Sequence, residues 1–245
     1  MVADVIPVPA PVRIPVRGSG TLSSGRFPVR RIHCVGRNFA DHAREMGAQV
    51  AASPAERGQP VFFTKPADAI VLDGVVPYPR ATRELHHEVE LVVALGADAP
   101  EGVLDPSEAD ALVFGYAIGL DLTRRDLQAA MKAKGLPWDI AKAFDASAPV
   151  SEIVPAREVG SLASRSITLD VNGTRRQHGA LHDLVWSVPE ILHELSRLYA
   201  LRAGDLIFMG TPAGVGPLVP GDRFEARLDD IVSLTGRVTG AMPPA

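Results

Sequence analysis

Apolar and polar residues alternate along this chain in many short runs, a pattern that predicts strands more often than helices. Apolar runs of strand length occur at 31–35, 60–64, 89–95, 114–120, 205–209, 224–228 and 231–238. Glycine, proline, asparagine and aspartate, the residues that favour turns, separate most of these runs. No internal repeat is present. We therefore predict one α+β domain dominated by strands, and not a doubly wound α/β sheet.

Local signals predict several element boundaries. Asn172-Gly173 between two runs predicts a hairpin with a type I′ turn. Ser187 and Glu190 have the spacing of a capping box at a helix start. The buried stripe of that helix is predicted to contain Ile191, Leu192, Leu195, Leu198 and Tyr199. Other helix starts are predicted at Asn38, Ser107 and Thr123.

The stretch at 86–95 carries two glutamates at the start of an otherwise apolar run. Because the side chains of a strand alternate between its faces, Glu88 and Glu90 share one face, opposite Val89 and Leu91. Two carboxylates buried side by side stay ionised mainly where a cation lies between them, so one interpretation is a divalent metal site. The other is an exposed edge strand whose solvated face carries both acids.

A third acidic residue favours the interpretation as a metal site. Asp121 follows the apolar run at 114–120 directly, so it ends a strand that is predicted to be buried. With Glu88 and Glu90 it would offer three oxygen ligands, leaving water and substrate to complete the octahedron that Mg²⁺ prefers; Mn²⁺ is an alternative. The chain has one cysteine, which gives a structural zinc site no support.

Two further positions are candidates for chemistry. In the short helix predicted at 39–46, His42 and Glu45 are three positions apart and lie on one face. A carboxylate beside an imidazole orients the ring and raises its basicity, as expected of a general base; a surface helix with an incidental contact is the alternative. Lys142 stands among apolar residues, where a lysine could meet a developing negative charge, although a solvated lysine is also possible.

Two loops have the composition of binding loops. Residues 210–216 read Gly-Thr-Pro-Ala-Gly-Val-Gly, and the glycines let the backbone approach a ligand and offer amide donors to a carboxylate or oxyanion. No Gly-Lys-Ser/Thr follows, so this is not a phosphate-binding P-loop. The polar, small-residue stretch at 51–58 predicts either a lid or a plain insertion.

Composition excludes several classes of partner. The 245 residues carry a net charge of −4, which gives no basic field for nucleic acid or an anionic membrane. The apolar runs are far shorter than the roughly 20 residues of a membrane helix, and prolines interrupt any N-terminal secretory signal. The single cysteine, Cys34, cannot form an intramolecular disulfide. We therefore predict a cytoplasmic protein with a Pro-rich arm at 1–26, either frayed or laid along the body, and one domain at 27–245.

Four motifs occur together in this order: Val35-Gly36-Arg37-Asn38-Phe39-Ala40-Asp41-His42, His86-His87-Glu88-Val89-Glu90, Gly119-Leu120-Asp121-Leu122-Thr123-Arg124-Arg125-Asp126 and Gly210-Thr211-Pro212-Ala213-Gly214-Val215-Gly216. In combination they resemble the fumarylacetoacetate hydrolase family, over about residues 27 to 238. The resemblance implies a mixed β-sheet roll of the fumarylacetoacetase C-terminal-domain type with a few short helices. It also implies a homodimer.

The resemblance further implies roles for individual residues. Mg²⁺ would be held by the residues that match Glu88, Glu90 and Asp121. The matching His42 and Glu45 would form a dyad on a helix that orders over bound substrate, and Lys142 would be the family's lysine. Gln128 and Thr211 match positions that contact the oxo-acid end of a small 2-oxo acid substrate.

Members that cleave acylpyruvates are the most similar, and the runs at 123–128 and 134–139 resemble those acting on fumarylpyruvate in gentisate breakdown. In the hypothetical mechanism, His42 takes a proton from water, hydroxide attacks the distal ketone, and the carbon–carbon bond breaks to give fumarate and pyruvate. Arg37, Lys65 and Arg124 are unranked candidates for binding the far carboxylate. Alternative activities are oxaloacetate decarboxylation, dienedioate isomerisation and, without catalysis, the binding of oxo-acids.

Overall fold

The structure, a computed structural model, describes residues 5–7, 10–18, 25–45, 47 and 56–241. The strands are β1 (Arg13–Val16), β2 (Gly25–Pro28), β3 (Arg31–Gly36), β4 (Val61–Lys65), β5 (Ile70–Val71), β6 (Val75–Pro77), β7 (Leu85–His87), β8 (Val89–Leu95), β9 (Val113–Leu120), β10 (Thr123–Arg124), β11 (Ala148–Pro149), β12 (Val154–Pro155), β13 (Ser166–Val171), β14 (Thr174–Ala180), β15 (Asp205–Phe208), β16 (Gly216–Leu218), β17 (Arg223–Leu228) and β18 (Val232–Thr239). The α-helices are α1 (Ala40–Glu45), α2 (Arg125–Ala133), α3 (Ala156–Val159) and α4 (Val188–Ser196). Short 3₁₀ helices span Ala67–Ala69, Pro106–Leu112, Asp139–Ala141, Leu162–Ser164 and Leu181–Asp183. Within the described ranges, no helix is long and apolar enough to cross a bilayer.

Two sheets packed against each other form the body of the fold. The larger has six strands in the order β12-β9-β8-β15-β3-β4, in which only β15 and β3 are parallel neighbours. The other has five strands in the order β14-β13-β17-β18-β6, antiparallel except where β18 meets β6. The main core includes Leu91 and Ile118 of the larger sheet and Leu169 and Ala226 of the smaller one. These mixed sheets confirm the predicted strand-dominated α+β fold.

Strand β8 is buried on both faces, which explains its continuous apolar run. Leu91 and Val93 point into the main core, whereas Val92 and Ala94 belong to a second apolar cluster on the opposite side of the sheet. Because β8 lies between β9 and β15 in the larger sheet, the alternative of an exposed edge strand is wrong. Glu90, on the face of Val92 and Ala94, is 1% exposed.

The N-terminal segment contributes to the second cluster. Strand β1 pairs antiparallel with β2, so that Ile14 faces Phe27. Ile14 is fully buried in the same cluster as Ile32 and Phe208. Packed structure therefore begins before Phe27, the predicted start of the domain. Residues 13–16 of the predicted arm lie along the body, and residues 1–4, 8–9 and 19–24 lie outside the described ranges.

Some helix starts differ from the sequence prediction because the side chains expected at the helix N-terminus bind other partners. The Asn38 side chain binds backbone groups of Trp186 and Met209, and α1 begins two residues further on. Thr123, the predicted cap of the next helix, belongs to strand β10 and its hydroxyl donates to the Asp121 carbonyl; Asp126, predicted at the third helical position, accepts a 2.6 Å hydrogen bond from the Thr82 hydroxyl. Helix α2 therefore starts at Arg125, one residue later than a cap at Thr123 predicts.

Other boundaries agree more closely. The Asn172-Gly173 hairpin is confirmed, with positive φ at both turn residues, and so is the capping box at the start of α4. However, α4 ends at Ser196, and Leu198 beyond it is 63% exposed, so it does not continue the buried stripe. Asp105, and not Ser107, caps the 3₁₀ helix that follows it. The loop at 51–58, predicted to be either a lid or a plain insertion, falls largely on residues 51–55, which lie outside the described ranges.

The buried position of Ile14 leads to a stability prediction. Ile14→Ala should lower the free energy of unfolding by about 2–5 kcal/mol, because it leaves a cavity between β1 and the larger sheet. Ile140→Ala is the matched control, since Ile140 is 52% exposed, and it should change stability by less than about 0.5 kcal/mol. Urea denaturation measures both. Equal stability of Ile14→Ala and the unmodified protein would contradict the packing of β1 on the body.

Candidate active site

Three carboxylates meet where strands β7 and β8 join. Glu88 lies between these two strands, which belong to different sheets. The antiparallel register of β8 and β9 pairs Val89 with Leu120, so Asp121 lies opposite Glu88, and its amide donates a 2.8 Å hydrogen bond to the Glu88 carbonyl. Glu90 follows two residues along β8. One carboxylate oxygen from each of the three buried acids lies within 4.8 Å of the others, as the sequence predicted for a metal site.

Two of these carboxylates have cationic partners. Lys142 Nζ lies 2.8 Å from Glu88 Oε2 and 2.5 Å from Asp121 Oδ2. Lys65 Nζ lies 2.8 Å from the other oxygen of Asp121, and the Arg125 guanidinium donates to Glu88 Oε1. Burial acts to raise the pKa of Glu88, but Lys142 and Arg125 hold it below its ordinary value. The charges of Asp121 and Glu88, in turn, raise the pKa of Lys142 against the effect of burial.

The third carboxylate lacks such a partner. Among the described residues no cation forms an ion pair with Glu90, whose Oε2 accepts a 2.7 Å hydrogen bond from the Gly210 amide. Burial and the charges of Asp121 and Glu88 raise its pKa well above the ordinary value. A divalent cation beside the three acids would relieve this repulsion, and buried oxygen ligands are those that Mg²⁺ and Mn²⁺ favour. The residues present therefore fit such a metal.

The predicted dyad is formed. His42 Nδ1 lies 3.1 Å from Glu45 Oε2, and His42 is 6% exposed on the wall of the cavity described below. Glu45 Oε1 accepts a 3.1 Å hydrogen bond from the Gly214 amide. Because a carboxylate accepts from Nδ1–H, this contact leaves Nε2 as the basic nitrogen of a neutral ring.

Amides of the glycine-rich loop at 210–216 donate hydrogen bonds to protein carboxylates. The sequence suggested that its amides would serve a ligand, but Gly210 N donates to Glu90 and Gly214 N donates to Glu45. Gly214 has φ +95°, and a Cβ there would come within 2.2 Å of the Arg176 carbonyl oxygen. Only glycine fits this position, so the loop is shaped to hold both acids.

Sequence reasoning missed Gln177 of β14, which joins the loop to the metal-site strands. Its side-chain oxygen accepts a 3.0 Å hydrogen bond from Val89 N and lies 2.9 Å from His87 Nδ1, so the histidine must donate there. Its amide nitrogen donates to Thr211 Oγ1 at 2.8 Å and to the Pro212 carbonyl at 2.9 Å. The Thr211 hydroxyl is thus an acceptor toward Gln177, and its own proton is available to a ligand.

The three acids and the nearby functional side chains surround one cavity of about 390 Å³. It is lined by predicted residues Arg37, His42, Glu88, Glu90, Asp121, Gln128, Lys142 and Thr211, and also by Val35, Gly36, Val61, Phe63, Arg125, Lys132 and Trp138, which were not singled out. Arg125 and Lys132 have helical spacing with Gln128, at i, i+3 and i+7, and this signal was available in the sequence. The Arg125 guanidinium donates to Gln128 Oε1 at 2.6 Å.

Two predicted substrate-binding cations do not border the cavity. Lys65 is 2% exposed and is engaged by Asp121 and by the carbonyl oxygens of Leu122 and Lys142. Arg124 donates to the Ile140 carbonyl at 3.2 Å and stacks over the Phe144 ring at 4.4 Å. Lys65 therefore supports a metal-site acid from behind, and Arg124 belongs to the packing outside the site.

The fold and this cluster define an enzyme with a buried carboxylate site suited to a divalent metal. Residues 31–239 match the family described as fumarylacetoacetate (FAA) hydrolase C-terminal. The chain belongs to the fumarylacetoacetate hydrolase family, as its motifs predicted.

Similar proteins carry two different names. A fumarylpyruvate hydrolase from Pseudomonas aeruginosa, solved with Mn²⁺ and pyruvate, has a TM-score of 0.88 and 43% identity, covering 97% of this chain and 99% of its own. The human mitochondrial oxaloacetate tautomerase FAHD1 is 42% identical over 85% of this chain and 91% of its own length. The Escherichia coli oxaloacetate tautomerase YcgM is 40% identical over 86% of this chain and 94% of its own.

The buried pair of Lys65 and Asp121 leads to a prediction. Lys65→Met should lower the free energy of unfolding by about 3–5 kcal/mol, because it leaves an excess of buried negative charge beside Glu88 and Glu90. Lys134→Met, at an exposed lysine, is the control and should be neutral within about 0.5 kcal/mol. Chemical denaturation without added metal measures both. If Lys65→Met were as stable as the control, the pair would not be the support inferred for Asp121.

Proposed function

We propose that the protein is a divalent-metal-dependent hydrolase that cleaves the carbon–carbon bond of an acylpyruvate, with fumarylpyruvate as the best candidate substrate. The observation that carries this proposal is the His42–Glu45 pair on the wall of the same cavity as the three acids. A site that only bound an oxo-acid would not require a base. The metal would be Mg²⁺ or Mn²⁺, held by Glu88, Glu90 and Asp121, and the enzyme is proposed to be a cytoplasmic homodimer.

The charge of the site supports an anionic reaction centre. Lys65, Lys142 and Arg125 together balance the three carboxylates, so a divalent metal adds two positive charges to a buried cavity. The enolate of pyruvate, with its carboxylate, carries two negative charges. When bound, the metal would supply Lewis-acid stabilisation of the charge that develops on the oxo-acid.

The residues of the chain would act as follows. Glu45 holds His42 with Nε2 free, and His42 takes a proton from water, whose oxygen forms a bond to the distal ketone carbon. The bond between that carbon and the methylene of the pyruvoyl group then breaks, and its electron pair leaves with the pyruvate half as an enolate. A proton returned to the methylene carbon completes fumarate and pyruvate. Thr211, Gln128 and Arg125 are proposed to hold the oxo-acid end.

A similar solved structure supports the hydrolase. The Pseudomonas fumarylpyruvate hydrolase, whose structure contains Mn²⁺ and pyruvate, is 43% identical to this chain and covers 97% of it. Pyruvate is a product of the proposed reaction, and Mn²⁺ suits the same oxygen ligands.

A second candidate is oxaloacetate tautomerase activity, which the names of the human and Escherichia coli relatives favour. The same dyad would then move a proton between carbon and oxygen of oxaloacetate, with no attack by water. Decarboxylation of oxaloacetate, or isomerisation of a dienedioate, would use the same acids and remains a lower-ranked alternative.

A substrate panel tests the proposal. Purified enzyme with Mg²⁺ or Mn²⁺ should release pyruvate from fumarylpyruvate, more slowly from acetylpyruvate, and a chelator should abolish the release until metal is restored. Pyruvate is measured with a coupled dehydrogenase, and the enol of oxaloacetate by its absorbance. Accelerated tautomerisation without pyruvate from either acylpyruvate would replace the hydrolase by the second candidate.

The role of His42 gives a separate prediction. His42→Ala should lower the turnover of fumarylpyruvate by about 10²- to 10⁴-fold, the usual contribution of a positioned general base. His182→Ala, at a histidine whose side chain is 62% exposed, should leave turnover unchanged. Steady-state kinetics at saturating metal measure both variants. Retention of most activity by His42→Ala would remove the histidine from the mechanism.

A further inference from the structure

One face of helix α2 runs from the carboxylate cluster to the mouth of the cavity. Arg125, Gln128 and Lys132 follow one another at helical spacing, and all three line the cavity. Their exposure changes along the face: Gln128 is 4% exposed and the Arg125 side chain 12%, whereas Lys132 is open to solvent. The cavity is therefore deep at Arg125 and Gln128 and opens at Lys132.

A second cation borders this mouth. Arg37 directly follows β3, is exposed, and lines the same cavity as Lys132. Within the described ranges, neither cation has a carboxylate at ion-pair distance; Lys132 Nζ instead lies 5.7 Å from the centre of the Trp138 ring. Partial burial, followed by the charges of Arg37, Arg125 and Lys142, lowers the pKa of Lys132. The mouth thus carries positive charge that no described carboxylate pairs with.

We propose that Lys132 and Arg37 form a second anion subsite, which binds a carboxylate at the far end of the substrate. This inference rests on the proposed function, because it takes the carboxylate cluster as the place of the oxo-acid head. The ligand class is a linear 2-oxo dicarboxylate of about seven carbons. The subsite would make the enzyme select acylpyruvates that end in a carboxylate over acetylpyruvate.

The length of the helix face fits this ligand. Lys132 is seven residues after Arg125, a rise of about 10 Å along the axis. A seven-carbon chain has six carbon–carbon bonds of about 1.5 Å, so its extended form spans about 7–8 Å between carboxyl carbons. With a charge-assisted hydrogen bond of about 2.8 Å at each end, the ligand reaches about 13 Å between donor atoms, a span open to two long side chains whose backbones are about 10 Å apart along the helix.

The other cations considered for this role are already occupied. Lys65 is bound to Asp121 beneath the site, and Arg124 is directed to the Ile140 carbonyl. Lys142 is shared between two acids of the cluster. Lys132 and Arg37 are the cavity-lining cations of the described chain that no acid of the described chain engages.

Two uncleavable probes test the subsite by binding alone. Both 2-oxoheptanedioate and 2-oxoheptanoate have the oxo-acid head and seven carbons, but only the first has a terminal carboxylate. Isothermal titration calorimetry with Mg²⁺ should show about 10-fold or tighter binding of the diacid, the value of one charge-assisted hydrogen bond. Lys132→Met should weaken the diacid alone and reduce the preference to within about twofold. Lys134→Met, two residues along the chain, should keep the preference, and Lys132→Arg should keep most of it.

The outcomes separate this inference from the proposed function. A wild-type protein that does not prefer the diacid, or a Lys132→Met variant that loses affinity equally for both probes, would overturn the subsite. A preference that depends on Lys132 would support it even where no acylpyruvate is cleaved. In that case the hydrolase proposal alone would fail, since the probes measure recognition and the substrate panel measures turnover.

Discussion

The concentration of negative charge at one end of strand β8 is the constraint on which the site depends. Burying three carboxylates within a few ångströms is unfavourable unless cations balance them. Lys65 comes from β4, Arg125 from α2, and Lys142 from the turn after Asp139–Ala141. Because each cation is supplied by a different element, neutralising the acids also fixes those elements around the cavity. Glu90, which forms no ion pair with a described cation and is repelled by Asp121 and Glu88, is the acid that a divalent metal would stabilise.

The side-chain alternation of β8 was sufficient to place Glu88 and Glu90 together, and Asp121 stood out because it ends an apolar run. The sequence could not reveal that Asp121 lies opposite Glu88, because that depends on the register between β8 and β9. The confirmed local predictions depend on residues close together in the chain. In the Asn172-Gly173 turn and in the α4 capping box, all interacting groups lie within a few residues. Such features need no tertiary information.

The wrong helix starts and the missed Gln177 have a common physical cause: contacts with residues distant in the chain. Asn38 and Asp126 suit the N-terminus of a helix, but each binds partners on another segment. The later start of α2 separates the two neighbouring arginines: Arg124 ends strand β10 and stacks over Phe144, whereas Arg125 is the first residue of α2 and binds Glu88. Gln177 was missed because nothing in its own hairpin distinguishes it; its four partners come from 87–89 and 211–212.

The hydrogen bond from Gly214 to Glu45 has a consequence for how such an enzyme can be altered. Helix α1 has six residues, too few to be stable by itself, and its carboxylate is oriented by an amide 169 positions away in the chain. A graft of residues 37–47 from a relative would therefore lose its alignment unless the recipient loop at 210–216 had a compatible backbone. Residues 37–47 and 210–216 would therefore have to be exchanged together when substrate specificity is altered. A recombination library would need to take both segments from the same parent.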